Sequence, residues 1–321
     1  MNTKKVLLLG SQGMLGTEIF NLSLESENIE IIPLSRFHAD YKKPEDVQAM
    51  IEKFSEEFTL DAVVNTSAYT IVDACEDEKN HETVSLVNAI SPGVIAEVCS
   101  KKGIPFYHFS TDYVFNGDTN QKFTEDSEPN PCNAYGQSKL AGEKNVLKFP
   151  NTKILRTAWL AGDNGVNFVH KMVHLSKNVE NISIVTNEEG SPTFAKDVAE
   201  ALFDLILTPE KYPENIYHLV SEGSATRKDL LVEIQNFLGL KTKIIDVKQG
   251  FFELAANRPY SSILKNTRFK KLPEWKDALH VFLAHEKEKQ DKKRVLDAKK
   301  ERAKELYRKK QAEERAALEK V

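Results

Sequence analysis

Cysteine is scarce in this sequence. Cys75, Cys99 and Cys132 are the only three in 321 residues. They are too few and too scattered for a disulfide framework or a thiolate metal site, and such usage fits a reducing, cytoplasmic setting. The eight histidines show no metal-ligand spacing, so no metal site is assigned. No uninterrupted apolar run approaches the roughly 18–20 residues that a helix needs to cross a bilayer. The opening lysines and apolar residues have a superficial likeness to a signal peptide. Their apolar part, Val6 to Leu9, runs straight into a glycine turn and reads as a first strand. Internal repeats are absent as well.

What is present is a globular composition with uneven charge. Hydrophobic residues make up 40% and charged residues 29%, a balance of folded chains rather than disordered ones. The net charge of −4 is a sum of opposites. Residues 286–321 hold fourteen Lys/Arg against nine Asp/Glu, about +5, which leaves thirty against thirty-nine, about −9, for residues 1–285. The basic segment has no Gly or Pro and is rich in helix formers. Its apolar positions hold no clean heptad, so a solvated helical tail is expected in preference to a coiled coil. Interleaved acids and the lack of an aromatic face favour that solvated helix over a nucleic-acid or membrane-surface segment.

Along 1–285, strand-like and helix-like patterns alternate. Strands are expected at Lys5–Leu9, Ile29–Leu34, Asp61–Asn65, Pro105–Ser110, Lys153–Arg156 and Ile182–Val185, with helices at 14–24, 44–58, 81–102 and 134–148. Such alternation predicts an α/β fold, a Rossmann-type doubly wound parallel sheet. After about 160 to 190 the order loosens. Helical spacing at 194–207 and 226–239 and a strand at Lys243–Val247 predict a smaller substrate-covering lobe, mainly from segments after about 160.

Gly10, Gly13 and Gly16 form a G-x-x-G-x-x-G turn between the first strand and the first helix. Glycines there let the backbone turn tightly and approach a pyrophosphate seated on helix N-terminal N–H groups. At the end of the second strand a carboxylate would hold a ribose 2′-hydroxyl, whereas an arginine would accommodate a 2′-phosphate. This chain carries Leu34-Ser35-Arg36, which favours NADP(H) while leaving NAD(H) open. Arg36 also reads as an ordinary surface residue. Asp40, slightly later, is a candidate for the adenine edge.

Tyr135-Gly-Gln-Ser-Lys139 sets a phenol and an ammonium four residues apart, on one face of a helix. A free phenol with a pKa near 10 is a poor catalyst at neutral pH. A neighbouring ammonium, joined by an oxidised nicotinamide ring, is expected to lower it. The spacing alone is common. Phe109-Ser110-Thr111-Asp112-Tyr113-Val114-Phe115 adds hydroxyls at the carboxyl end of the fourth strand, the edge where open α/β sheets bind ligands. Hydroxyl, phenol and lysine then converge where a carbonyl can be polarised and reduced.

The order of glycine turn, Asn65-Thr66-Ser67-Ala68-Tyr69, STDYVFNG, P-x-N-A-Y-G-Q-S-K-L-A-G-E, ILRTAWL, Gly190-Ser-Pro-Thr193, Asn257-Arg258-Pro259 and Leu272-Pro-Glu-Trp275 resembles the extended short-chain dehydrogenases. More narrowly, it is similar to the dTDP-4-dehydrorhamnose reductase family, over roughly residues 4–283. The resemblance implies reduction of a nucleotide-sugar ketone with NADP(H). It implies that Thr111 bonds the ketone, that Tyr135 protonates the nascent alkoxide, and that Lys139 holds the nicotinamide ribose and lowers the phenol pKa. Gly10, Gly13 and Gly16 would cradle the pyrophosphate, with loop contacts from Gln12, Met14 and Leu15. Asn65, Ser67, Ala68 and Tyr69 would line the cofactor path. Val72, Asp73, Asp112, Trp159 and Arg258 would face the sugar nucleotide, the arginine being suited to its diphosphate.

Plainer roles compete for several of these residues. Trp159 also reads as a wall or core aromatic, Arg258 as a loop cap, Ser110 as a partner for strand-end backbone, and Cys132 as an ordinary loop cysteine. Thr66-Ser67 stands where the family usually carries Ala-Ala, and the basic tail lies outside the resemblance. Some members share a metal at a dimer interface, so a homodimer is a candidate assembly, with no residue here assigned as a ligand. Two other functions fit the same motifs: a reductase of another nucleotide 4-ketosugar, or an NADP-binding regulatory subunit resembling the β subunit of methionine adenosyltransferase, acting through a protein partner.

Overall fold

The computed structural model describes residues 3–117, 121–289, 291–292 and 300. It comprises two units, Met1–Leu279 and His280–Val321. In the second unit, 280–289 are helical. Most of the tail expected from 286 lies outside the described residues.

The first unit is built on six parallel strands. β1 (Lys4–Leu9), β2 (Ile29–Leu34), β3 (Ala62–Asn65), β4 (Phe106–Thr111) and β5 (Thr152–Thr157) fall where the sequence predicts them. The sixth member differs. The expected strand at Ile182–Val185 exists as β6 (Asn181–Val185), but it pairs in parallel with β8 (Lys243–Val247) in a separate two-stranded sheet. The sixth strand of the main sheet is instead β7 (Ile216–His218), three residues that lie parallel to β5. The order is β7-β5-β4-β3-β1-β2. The chain therefore reverses direction across the sheet between β1 and β3, and the carboxyl ends of these strands open a crevice there.

The helices that cover the sheet are α1 (Met14–Ser23), α2 (Pro44–Glu57), α3 (Glu78–Lys101), α4 (Ala134–Val146) and α6 (Ala195–Leu207), while α5 (Phe168–Asn178) and α7 (Arg227–Leu238) pack against each other within the same unit. α5 was not expected from the sequence. β1 shows why the sheet is doubly wound. Its alternate residues Val6 and Leu8 pack with Ile19 of α1 and Val198 and Leu202 of α6. Leu7 and Leu9 pack on the opposite face with Val47 and Ile51 of α2 and Ile95 of α3. All four strand residues are fully buried, each contributing roughly 1.5–3 kcal/mol in transfer free energy. β2 lies at the edge of the sheet, which is why it tolerates Pro33.

α3 is continuous over 24 residues, with a π-helical segment at Leu86–Ile90. By length and mean composition it is long and apolar enough to cross a membrane, although polar residues such as Asn88, Ser91 and Glu97 interrupt it. Yet 56% of its apolar window is buried inside the protein, where it serves as a core helix. The π segment turns Asn88 inward, and Gly142 of α4 lets that helix approach. A Cβ there would lie 2.1 Å from the Asn88 carbonyl oxygen.

Candidate active site

The glycine turn has the shape that a dinucleotide phosphate needs. Gly10 has φ +80°, and a Cβ there would meet Ser67 and Thr66 at under 3 Å. A Cβ on Gly16 would strike the Gly10 carbonyl oxygen at 2.2 Å. α1 starts at Gly13 with no side-chain cap and no acidic residue in its first turn. Its N-terminal N–H groups are left for an anion. Met14 is half-buried, Leu15 buried and Gln12 exposed. Thr66 Oγ1 donates to the Leu9 carbonyl oxygen at 2.8 Å, so the departure from Ala-Ala ties the end of β3 to the turn.

At the end of β2, Ser35 is buried and Arg36 exposed. The Arg36 guanidinium stands 5.7 Å from the centroid of the Phe37 ring, itself 78% exposed. His38 Nδ1 accepts from the Ser35 N–H at 3.2 Å. Asp40 caps a turn through Lys42 N at 3.0 Å.

Asn65, Ser67, Ala68 and Tyr69 leave the end of β3 toward the same crevice. Asn65 Oδ1 accepts from Ser67 N at 2.9 Å. Asn88 is fully buried and pins the segment: its Oδ1 accepts from Tyr69 N at 2.8 Å, and its Nδ2 donates to the Tyr69 carbonyl oxygen and to Ser138 Oγ of α4, each at 3.0 Å.

β4 and α4 carry the residues expected to be catalytic, Thr111, Tyr135 and Lys139. α4 is capped by Asn133, whose Oδ1 accepts from Gly136 N at 2.8 Å. Tyr135 follows, 9% exposed, with the Tyr113 ring edge-on at a centroid distance of 5.8 Å. Burial, and then the charge of Asp112, push the Tyr135 phenol well above its ordinary range, while a bond with Thr111 pulls the other way. This direction is opposite to the one expected from Lys139. Desolvation favours the neutral phenol, which is the form a proton donor requires.

Thr111 Oγ1 donates to Asp112 Oδ1 at 3.0 Å and accepts from Tyr113 N at 3.2 Å. Asp112 is buried, and Ser262 Oγ donates to its Oδ2 at 2.5 Å. Burial pushes the Asp112 carboxyl up to about 6, against the pull of Ser262, Thr111 and the Arg227 charge. The Ser110 hydroxyl is buried at the same strand end without a hydrogen-bond partner.

One turn along α4, Lys139 is 2% exposed. Its Nζ donates to the Phe109 carbonyl oxygen at 2.7 Å and lies 3.4 Å from His108 Nε2. Burial lowers its pKa to about 8, partly offset by the Glu143 carboxylate. Glu143 is paired with Arg156 on β5 at 2.7 Å, both being 2% exposed.

Asp73 and Arg258, both expected to face the sugar nucleotide, pair with each other. Arg258 Nη1 and Nη2 donate to Asp73 Oδ1 and Oδ2 at 3.1 and 2.7 Å, and Ala256 N donates to Oδ1 at 3.0 Å. The Arg258 bond holds the Asp73 carboxyl below its usual range. Val72 is half-buried beside Asp73. Trp159 has a φ of +42°, a backbone conformation that costs an aromatic residue energy and survives only when its surroundings impose it. The Arg227 guanidinium lies 3.6 Å from the centroid of the Trp159 ring, and a Cβ on Gly190 would meet the same ring at 2.4 Å. A cavity of about 140 Å3 lined by Trp159, Phe168, Phe194 and Arg227 lies alongside.

Sequence reasoning missed Asn88, His108, Arg227 and Ser262. His108 had a signal, a polar residue between the aromatic Tyr107 and Phe109 of a buried strand. Arg227 and Ser262 reach the site from more than 100 residues beyond Asp112; Arg227 carries no local mark, whereas Ser262-x-Leu264 is part of the family resemblance, which gave the serine no role. Among the described residues, no group of three or more His, Cys, Asp or Glu side chains is placed to hold a metal ion.

A family model described as the RmlD substrate binding domain matches residues 4–288. The spore coat polysaccharide biosynthesis protein SpsK of Bacillus subtilis (strain 168) is 32% identical, covering 87% of this chain and 96% of its own. A probable dTDP-4,6-dihydroxy-2-methyloxan-3-one 4-ketoreductase of Streptomyces antibioticus is 34% identical, over 85% of this chain and 92% of that one. The crystal structure of dTDP-4-dehydrorhamnose reductase from Bacillus anthracis str. Ames in complex with NADP superposes with a TM-score of 0.81 at 31% identity, covering 88% of this chain and all of that one.

Proposed function

The chain belongs to the RmlD substrate binding domain family, and from that membership we propose that it reduces the C4 ketone of dTDP-4-dehydro-L-rhamnose to give dTDP-L-rhamnose, using NADPH. The observation that carries this reading is a buried Tyr135 beside Thr111, its phenol pushed up by burial, with Lys139 one helical turn away. The residues present fit the cofactor. The positive-φ Gly10, the uncapped start of α1 and the partnerless Ser110 hydroxyl supply a turn, N–H donors and a free polar group along one crevice.

When bound in this crevice, NADPH would supply the hydride for the ketone carbon. Everything else falls to the protein. Thr111 turns its hydroxyl from Asp112 to the ketone oxygen and polarises the carbonyl. Tyr135 Oη donates its proton to that oxygen as the C–O bond becomes single, yielding the secondary alcohol. Lys139 stabilises the phenolate left behind until it is reprotonated. Arg36 and Ser35 would hold the 2′-phosphate, and Arg258, oriented by Asp73, would face the diphosphate of the sugar nucleotide.

The test is NADPH consumption by the purified protein with a panel of nucleotide 4-ketosugars. Turnover of dTDP-4-dehydro-L-rhamnose is expected. The Streptomyces antibioticus relative, named as acting on a different dTDP-sugar, makes other ketosugars the proper comparison. Turnover of one of those alone replaces the substrate and keeps the chemistry.

A further inference from the structure

His108 sits at the centre of a buried polar line that the proposed reaction does not use. It is fully buried on β4. Its Nδ1 lies 3.2 Å from Asn65 Nδ2 and its Nε2 lies 3.4 Å from Lys139 Nζ. Asn65 and Lys139 are themselves 1% and 2% exposed. Burial and the neighbouring Lys139 hold the imidazole pKa well below its ordinary value, so the ring is neutral, with one N–H and one lone pair.

The roles along this line are constrained by counting protons. Asn65 Oδ1 is taken by the Ser67 N–H at 2.9 Å, which fixes the carboxamide with its NH2 toward the ring. Nδ1 must then accept, and the ring proton resides on Nε2, facing Lys139. A ring N–H cannot accept from an ammonium. The 3.4 Å contact is a hydrogen bond only when the lysine is the free amine, accepting from Nε2–H while its own N–H donates to Phe109. For Lys139 to carry a third proton and use His108 as an acceptor, the ring proton must move to Nδ1. The carboxamide must then present its oxygen to the ring and release the Ser67 N–H.

We propose that His108 is a positioning residue, a tautomeric link through which the orientation of the Asn65 carboxamide sets the charge state of Lys139. The link joins the end of β3, where the Ser67 hydroxyl is buried against Gly10 of the glycine turn, to the lysine that supports Tyr135, and in that respect it rests on the function proposed above. The other ionisable groups around Lys139 are Glu143, neutralised by Arg156, and Tyr135 on its own helix. None faces the His108 ring: the polar contacts of His108 Nδ1 and Nε2 are Asn65 and Lys139.

The experiment needs no substrate. In 15N-labelled, cofactor-free protein, the two ring nitrogens of His108 are followed by NMR from pH 6 to 10, with their signals assigned by their loss in His108→Gln. Alongside them, the Lys139 Nζ resonance is titrated. The link predicts a switch from the Nδ1–H tautomer to the Nε2–H tautomer, with the same midpoint as the lysine. In Asn65→Asp the carboxylate accepts from Nδ1–H throughout. The ring then stays Nδ1–H, and the lysine titration moves up by a unit or more. A single tautomer held across the lysine titration in the wild type overturns the proposal, as does an unmoved lysine in Asn65→Asp. Because no turnover is measured, inactivity toward the proposed sugar leaves this result standing on its own.

Discussion

Ser262 donates to Asp112 across 150 residues of chain, its Oγ lying 2.5 Å from Oδ2 of a carboxylate that is 3% exposed. The bond explains how a carboxylate persists in so dry a position beside the proposed acid and the hydroxyl of Thr111.

Asp112 gives the protein a pH signature. Its folded-state pKa of about 6 lies above the ordinary 3.8, so the folded form binds its proton more tightly than the unfolded chain. The stability this contributes is fully present below 3.8 and is lost as pH rises through about 6. Asp112→Asn is expected to flatten that part of the curve of melting temperature against pH. Ser262→Ala removes a donor to the charged form, worth roughly 1.5–3 kcal/mol, and should move the acidic limb of kcat/KM upward by about one to two pH units. An unchanged acidic limb would show that the Asp112–Ser262 pair lies outside the catalytic pH dependence.

Lys139 has the opposite sign. Burial sets it at about 8, below the ordinary 10.5. The folded state releases the proton first, and stability attributable to this group rises with pH between those values. Lys139→Met should therefore melt higher than the wild type at pH 7, with the gap closing toward pH 10, while ketone reduction is lost. Thermal melts across that range check it.

Arg258 and Asp73 form a two-pronged pair beside the crevice. Asp73→Ala leaves the guanidinium without its orienting carboxylate, and Arg258→Lys removes the fork. Either change is expected to raise KM for the sugar nucleotide roughly ten-fold or more, with NADPH affinity unchanged, since a charged hydrogen bond is worth about 1.5–3 kcal/mol. Equal losses for both ligands would point to misfolding of the 248–258 loop instead.

Arg36 is exposed at the end of β2. Arg36→Ala should weaken NADPH by roughly 10-fold or more and leave NADH unaffected, because only the former carries the 2′-phosphate. Titration of both reduced cofactors by fluorescence checks the ratio.

The first five strands and the helices between them were legible because each buries a local apolar pattern, as β1 does with Val6 and Leu8 on one face and Leu7 and Leu9 on the other. β7 was not, since three residues carry too short a pattern and its neighbour β5 lies some 60 residues away. β6 was correctly read as a strand, but local alternation says nothing about which sheet it joins. Thr111, Tyr135 and Lys139 were visible through motif spacing. The Asn65–His108–Lys139 line was not, because it depends on which way a carboxamide and a ring point. The phenol pKa was read in the wrong direction for a similar reason: sequence showed a nearby lysine but not the depth of burial.

The central claim is that Tyr135 is the acid of a nucleotide-sugar ketone reductase. Tyr135→Phe removes one oxygen atom and keeps the buried ring. With NADPH and dTDP-4-dehydro-L-rhamnose in single-turnover mixing, the wild type should consume the nicotinamide absorbance, and the variant should do so roughly 10²–10⁴-fold more slowly with cofactor binding intact. A variant that reduces the sugar at the wild-type rate would contradict the account.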